Sequence, residues 1–209
     1  MTIEELIKQS AKDAFSLLAE KELENRRLVY PKKHDKELRC SEQELKMLFI
    51  ENVCDLSDFH YSVETPTKFG YKFSGEPDIF EEKNKTQYPA RIDLTLHEKD
   101  SHYNLEFKNG QADKKSIKKD ILKLTYEQSE GNYFVHIIHL KDDSIHDRKK
   151  NRLTGKFNDA YIESLKLKKG VLCPDSVTVY IIFITAKNYE IIRKTFTEKN
   201  NCEWETVKL

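Results

Sequence analysis

Three side chains near the middle of the chain have the types and the spacing to do chemistry: Asp93, Glu106 and Lys108. Asp93 sits inside the apolar alternation Ala90-Arg91-Ile92-Asp93-Leu94-Thr95-Leu96. Glu106 and Lys108 stand two apart in Tyr103-Asn104-Leu105-Glu106-Phe107-Lys108. Alternate residues of a strand share a face, so Glu106 and Lys108 point one way while Leu105 and Phe107 point the other. Pairing of the two runs as a hairpin, through the polar Glu98-Lys99-Asp100-Ser101-His102, brings all three groups to one place. Two carboxylates suit a hard divalent ion, and an ammonium beside them steadies a hydroxide or a phosphate. Together they have the chemistry of metal-dependent phosphodiester cleavage.

Those side chains need elements to hold them, and the sequence supplies a plausible set. Apolar spacing predicts a helix from Ile3 to about Glu24, followed by a Lys- and Arg-rich arm. A second helix opens at Ser41, an N-cap with Glu44 three residues on, ahead of Leu45, Leu48, Phe49 and Val53. Strands are expected over Tyr61–Pro66 and Phe69–Phe73, and a polar loop over 74–89. Asn109-Gly110 marks a turn after Lys108, and a helix follows from Lys114 to about Gln128. Tyr133–Leu140 and Val177–Ile184 read as buried strands, with a helix over about 157–167 between them and another over 189–196. Trp204 and the terminal segment read as packing or an edge strand. Strands alternating with helices argue for an α/β protein, a mixed central sheet flanked by helices. The expected organisation is a single domain over 1–209, with an N-terminal helix and arm (1–40) and a core over about 41–196.

Composition narrows the function classes only modestly. Thirty-six basic and thirty-six acidic residues cancel, so total charge neither favours nor opposes a nucleic-acid partner. The four cysteines are scattered without a Cys-x-x-Cys, which argues against a zinc site or a disulfide framework. No window has the apolar length of a membrane span, and the N-terminus lacks a signal-like apolar region, so a cytoplasmic protein with no membrane partner is expected.

A helix bearing a glutamate, a strand carrying Asp93, a strand carrying Glu106-x-Lys108, then a helix and a further strand: this resembles the PD-(D/E)XK nuclease superfamily, with its restriction-endonuclease-like core. The resemblance covers roughly Ser41 through Leu140. It implies a nuclease whose magnesium ion, replaceable by manganese, is held by Asp93, Glu106 and the backbone carbonyl of Phe107. Lys108 then becomes the catalytic lysine. The helix glutamate of the family maps to Glu44, with Glu42 and Glu51 on the same helix as alternatives. The resemblance further implies a nucleic-acid substrate, DNA foremost, and working forms that include homodimers and multi-protein defence or repair systems. It departs from the family at Ile92, where a proline would precede the aspartate. A literal Pro77-Asp78 lies upstream, but in a polar loop, and rigid strand backbone serves a ligand better.

Each of these residues also has a plain structural reading. Glu106 and Lys108 could keep one strand face wet, Arg91 could pair with Asp93 on such a face, and Glu44 could do no more than close a capping box. Lys114, Lys115, Lys118, Lys119 and Lys123 form the densest basic cluster. As phosphate contacts they would bind nucleic acid, whereas as a solvated face they would merely cover the core. Lys149, Lys150 and Arg152 make a weaker cluster, and Gln111 stands within reach of Lys108. His136 and His139 fall on opposite faces of one strand and cannot share an ion. The rival to a nuclease is a catalytically silent module of the same fold that binds nucleic acid or protein.

Overall fold

The computed structural model describes residues 1–19, 27–33, 37–38, 40–73, 78–80, 89–140, 146–167, 176–198 and 203–208. Among these residues the helices are α1 (Ile3–Leu18), α2 (Glu42–Leu56), α3 (Lys114–Tyr126) and α4 (His146–Leu165). The strands are β1 (Lys32–Lys33), β2 (Glu37–Leu38), β3 (His60–Lys72), β4 (Asp78–Phe80), β5 (Pro89–Glu98), β6 (Ser101–Asn109), β7 (Gly131–His139), β8 (Val177–Ile184), β9 (Tyr189–Phe196) and β10 (Glu205–Thr206). β1 and β2 pair with each other, and the other strands form one mixed sheet in the order β10-β9-β8-β7-β6-β5-β3-β4. Within it β6, β7 and β8 run parallel, with α3 and α4 as their crossovers, and the remaining neighbours are antiparallel.

Alternation along the strands divides the interior into two layers. Leu94, Leu96, Leu105, Phe107, Val135, Ile137 and Ile182 pack under α1 and α2. Ile92, Phe134, Ile138, Val179, Ile181 and Phe183 pack under α3 and α4. The expected α/β class with helices on both sheet faces is what the chain forms. No helix among the described residues is long and apolar enough to cross a membrane.

Four expectations change. Residues 189–196 form the strand β9, not a helix. Thr185 and Asn188 close a tight hairpin turn, with Thr185 Oγ1 accepting from the N–H groups of Lys187 and Asn188. That turn lays Ile191, Ile192, Thr195 and Phe196 against β8, where branched and aromatic side chains fit a pleated surface. The helix expected over about 157–167 starts earlier, at His146, because Leu153 extends the buried stripe of Phe157, Ala160 and Tyr161 by a turn. Tyr61–Pro66 and Phe69–Phe73 fuse into one long β3, whose register against β5 shifts between Pro66 and Gly70. Within the expected polar loop, β4 adds a short edge strand; the far end of the first expected helix lies outside the described residues. β10 makes the expected terminal edge strand, beside Trp204, which packs against Phe157 and Phe196.

Candidate active site

The β5–β6 hairpin forms as expected, but tighter. Glu98 pairs with Ser101, leaving Lys99 and Asp100 as the turn, with Lys99 at φ 53°. Pairing runs back as far as Leu94 with Leu105, and there it stops. One further step of that register sets Asp93 opposite Glu106. In place of a ladder bond, Asp93 Oδ2 accepts the backbone N–H of Phe107 at 2.9 Å. On the other side of β5 the ladder also breaks. Val63 pairs with Leu94 and Thr65 with Ile92, but Glu64 between them is at φ 52°, a left-handed conformation costly for a residue with a Cβ. Asp93 therefore lies where the sheet is distorted on both flanks. Its neighbours Ile92 and Leu94 go to different apolar layers.

Helix α2 supplies the roof. Asn109 donates its side-chain amide to the Cys40 carbonyl, fastening the end of β6 to the start of α2. Glu42 and Lys46, one helical turn apart, then face the strand ends. Glu42 Oε2 lies 3.2 Å from Lys108 Nζ. Lys46, buried at 5 % exposure, reaches Glu64 at 3.2 Å and Asp93 at 3.9 Å. Arg91, by contrast, is exposed on β5. Glu44 is turned away: its Oε2 takes the Ser41 N–H at 2.8 Å and the Ser41 hydroxyl as well, completing the capping box. Glu51 is likewise occupied elsewhere, accepting the N–H groups of Arg27 and Leu28. Glu42, not Glu44, is the helix glutamate at the site.

From the opposite layer α3 contributes Asp120 and Lys123. Lys123 Nζ lies 2.5 Å from Glu106 and 2.9 Å from Asp120, and donates to the Arg91 carbonyl at 2.8 Å. Lys108 Nζ lies 3.0 Å from Asp120 and donates to the Phe107 carbonyl at 3.1 Å. Asp93, Glu106, Lys108 and the Phe107 carbonyl thus converge, joined by Glu42, Lys46, Asp120 and Lys123. Asp120 went unnoticed in the sequence, although it occupies the apolar stripe Ile117–Ile121–Leu124 of α3, where a carboxylate is costly unless paired.

Burial and the Asp120 charge hold the Glu106 carboxyl well above the ordinary carboxylate range, against the pull of Lys123. Burial, with Asp93 and Asp120, also raises Glu42. Burial would lower Lys108, but Asp120 and Glu42 outweigh it and keep the ammonium above the ordinary lysine range. Two buried carboxylate oxygens, Glu106 Oε1 and Asp120 Oδ2, meet ammonium groups without accepting an aligned hydrogen bond. These carboxylate and carbonyl oxygens are the donor type that a hard divalent cation takes. Among the described residues no group of three or more His, Cys, Asp or Glu side chains has metal-ligating spacing, each acid being drawn to a lysine instead.

The basic cluster on α3 differs from its expected role. Lys123 is buried at 4 % exposure inside the site, not on a basic face. Lys114 pairs with Asp159 and Glu163 of α4, and Lys118 with Glu163. Lys119 lies 4.7 Å from the Phe73 ring centre, and Lys115 is exposed. His136 is buried and His139 exposed, on opposite faces as expected.

Set beside protein-family models, curated proteins and solved structures, the chain matches none of them.

Proposed function

We propose that this protein is a divalent-metal-dependent nuclease that hydrolyses phosphodiester bonds, with DNA as its substrate. The observation that carries the reading is the convergence of Asp93, Glu106 and Lys108 where β5 and β6 part. The order α2, β3, β4, β5, β6, α3, β7, with β4 only a short edge strand, supports a restriction-endonuclease-like core for the same segment. Strand-borne like charges set side by side oppose folding, so their presence argues for a purpose other than stability.

Asp93 and Glu106, with the Phe107 carbonyl, would hold magnesium or manganese, which supplies charge to a phosphate and acidifies a bound water. Lys108 remains protonated, and so acts as a donor that orients water and stabilises charge growing on the phosphate, not as a general base. Glu42 and Asp120 fix the direction of that ammonium. Asp93, by accepting the Phe107 N–H, holds the backbone of the residue whose own carbonyl meets Lys108 Nζ.

The test is cleavage of supercoiled plasmid, linear single-stranded DNA and RNA with magnesium or manganese, wild type against Lys108→Ala. Metal-dependent cutting reduced about a thousandfold in the variant, on the order of 4 kcal/mol of barrier, is expected. Equal cutting by both proteins would remove the assignment. The neutralisation of each acid by a lysine favours a second reading, a silent binding module, which metal-independent binding without turnover would support.

A further inference from the structure

Helix α4 carries a second group of cations. Lys149, Arg152 and Lys156 recur at three- and four-residue spacing, and so share a face. Among the described residues none of the three forms an ion pair, whereas Lys114, Lys118 and Lys150 each do. With Ala112, Leu153 and Gly110 they line a recess of about 50 Å³. Pockets for small molecules are several hundred Å³, so this one is too small for a metabolite but admits the edge of a single phosphate. Lys156 donates to the Ala112 carbonyl at 2.7 Å, which anchors the cationic rim to the loop after β6. Burial and the nearby Arg152 charge hold Lys156 below the ordinary lysine range, with Asp113 only partly countering them. An anion at this face would relieve that crowding.

The recess begins at Gly110, just past the end of β6 that carries the site. Gly110, two residues beyond Lys108, donates its N–H to Ile137 and its carbonyl bonds His136 Nε2 at 2.8 Å. His136, the register partner of Lys108 across β6–β7, thus joins the loop that Lys156 holds through Ala112 to the strand that bears the site. From Lys149 to Lys156 the helix rises about 10 Å, the axial length of roughly three nucleotides of one strand.

We propose that the α4 face bearing Lys149, Arg152 and Lys156 is the phosphate-backbone contact of the nucleic-acid substrate, with the edge of one phosphate entering the recess beside Leu153. The proposal rests on the nucleic-acid reading of the neighbouring site and names where that substrate lies. Arg152, exposed and forked, contacts phosphate oxygens in pairs, and Lys156 supplies charge already held in place.

Fluorescence anisotropy with a labelled duplex, a DNA single strand and an RNA, each with calcium in place of magnesium, tests it. The Lys149→Ala/Arg152→Ala variant is compared with wild type and with Lys187→Ala, a substitution in the β8–β9 turn. The double variant should bind roughly tenfold more weakly at 0.1 M salt. Its slope of log affinity against log salt should fall by about 1.8 on duplex or about 1.4 on a single strand, two phosphate contacts' worth. Unchanged affinity and slope, with metal-dependent cleavage intact, overturn the α4 contact and leave the nuclease standing. Binding that depends on α4, in a protein that never cleaves, supports the contact and overturns the nuclease. Failure of wild type to bind any of the three probes overturns the contact, and capture of a polyglutamate peptide instead would assign the face to an acidic protein partner.

Discussion

The two faces of β6 carry adjacent residues to opposite fates. Phe107 enters the layer under α1 and α2, fully buried, its ring 5.4 Å from that of Phe49. Glu106, 1 % exposed, enters the layer under α3 and meets Lys123 and Asp120. Equal burial thus serves two purposes. On one face, removing area from water is itself the stabilising event. On the other, every charge brought in requires another: Glu106, Lys108, Asp120 and Lys123 balance there, with Glu42 and Lys46 reaching them and Asp93 from α2 at the strand end. The first face supports the fold, and the second is tolerated by it.

The sharpest way to break this comparison is to truncate one residue from each face. Phe107→Ala leaves a cavity beside Phe49 and should cost about 3–5 kcal/mol. Whatever folded protein remains should still cleave. Glu106→Gln keeps the shape, removes a strained charge and leaves Lys123 its Asp120 and Arg91 partners. Stability should move by less than about 1 kcal/mol while cleavage is lost. Denaturant midpoints and single-turnover cleavage on both variants check the pair. A Glu106→Gln protein as unstable as Phe107→Ala would mean that the charged face is a structural element after all.

The apolar face was legible in the sequence because it obeys a single rule, alternation, and Leu94, Leu96, Leu105 and Phe107 all follow it. The strand-borne part of the charged face was legible for the same reason, since Asp93, Glu106 and Lys108 occupy the polar positions of that alternation. Its helix-borne part was harder to read. Glu44 fits a capping box and a catalytic role equally well on paper, and only the direction of the helix start, set by the Asn109–Cys40 bond, brings Glu42 forward instead. Lys123 looked like one lysine among many on a basic helix. Its neighbour Asp120, on the buried stripe, was the available sign that this turn faces inward. The strand β9 was misjudged because Tyr189, Ile192 and Phe196 suit a helical period, and the Thr185–Asn188 turn that overrides it is a matter of hydrogen bonding rather than hydropathy.

A second break removes the balance rather than a member of the site. Lys123→Met leaves Glu106 without its ammonium and Asp120 with only Lys108. Stranding a buried charge typically costs about 3–5 kcal/mol. Protonation of Glu106, already favoured by its surroundings, should hold the loss near about 3 kcal/mol. The double variant Lys123→Met/Glu106→Gln should then recover part of that loss, a non-additivity that thermal or urea unfolding measures directly. Additive losses would show that the two groups do not compensate each other.

The smallest effect concerns His136, whose register partner across β6–β7 is Lys108. Its Nε2 bonds the Gly110 carbonyl, so that nitrogen carries the hydrogen, and Nδ1 is left buried without a partner. Protonation would place an N–H at Nδ1 with no acceptor, beside the Phe157 ring. Burial first, and then the charges of Lys108 and Lys156, push the imidazole down to about 4, although the Gly110 bond opposes them. The sign follows from proton counting. Between about pH 6.5 and 4 the unfolded chain binds more protons at this residue than the folded one, so folding weakens as pH falls through that window. The stabilisation is fully present above the unfolded value, and its loss from pH 7 to pH 5 amounts to about 2 kcal/mol. Glu106, whose carboxyl the fold raises, contributes in the opposite sense, so the informative quantity is the difference between wild type and His136→Leu. The variant should be less stable at pH 7, since the Gly110 carbonyl loses its donor, yet the gap should narrow by about 2 kcal/mol at pH 5. A gap that stays constant with pH would mean that water or an ion reaches Nδ1. The charged face would then be wetter than its burial suggests, and the contrast between the two faces of β6 correspondingly weaker.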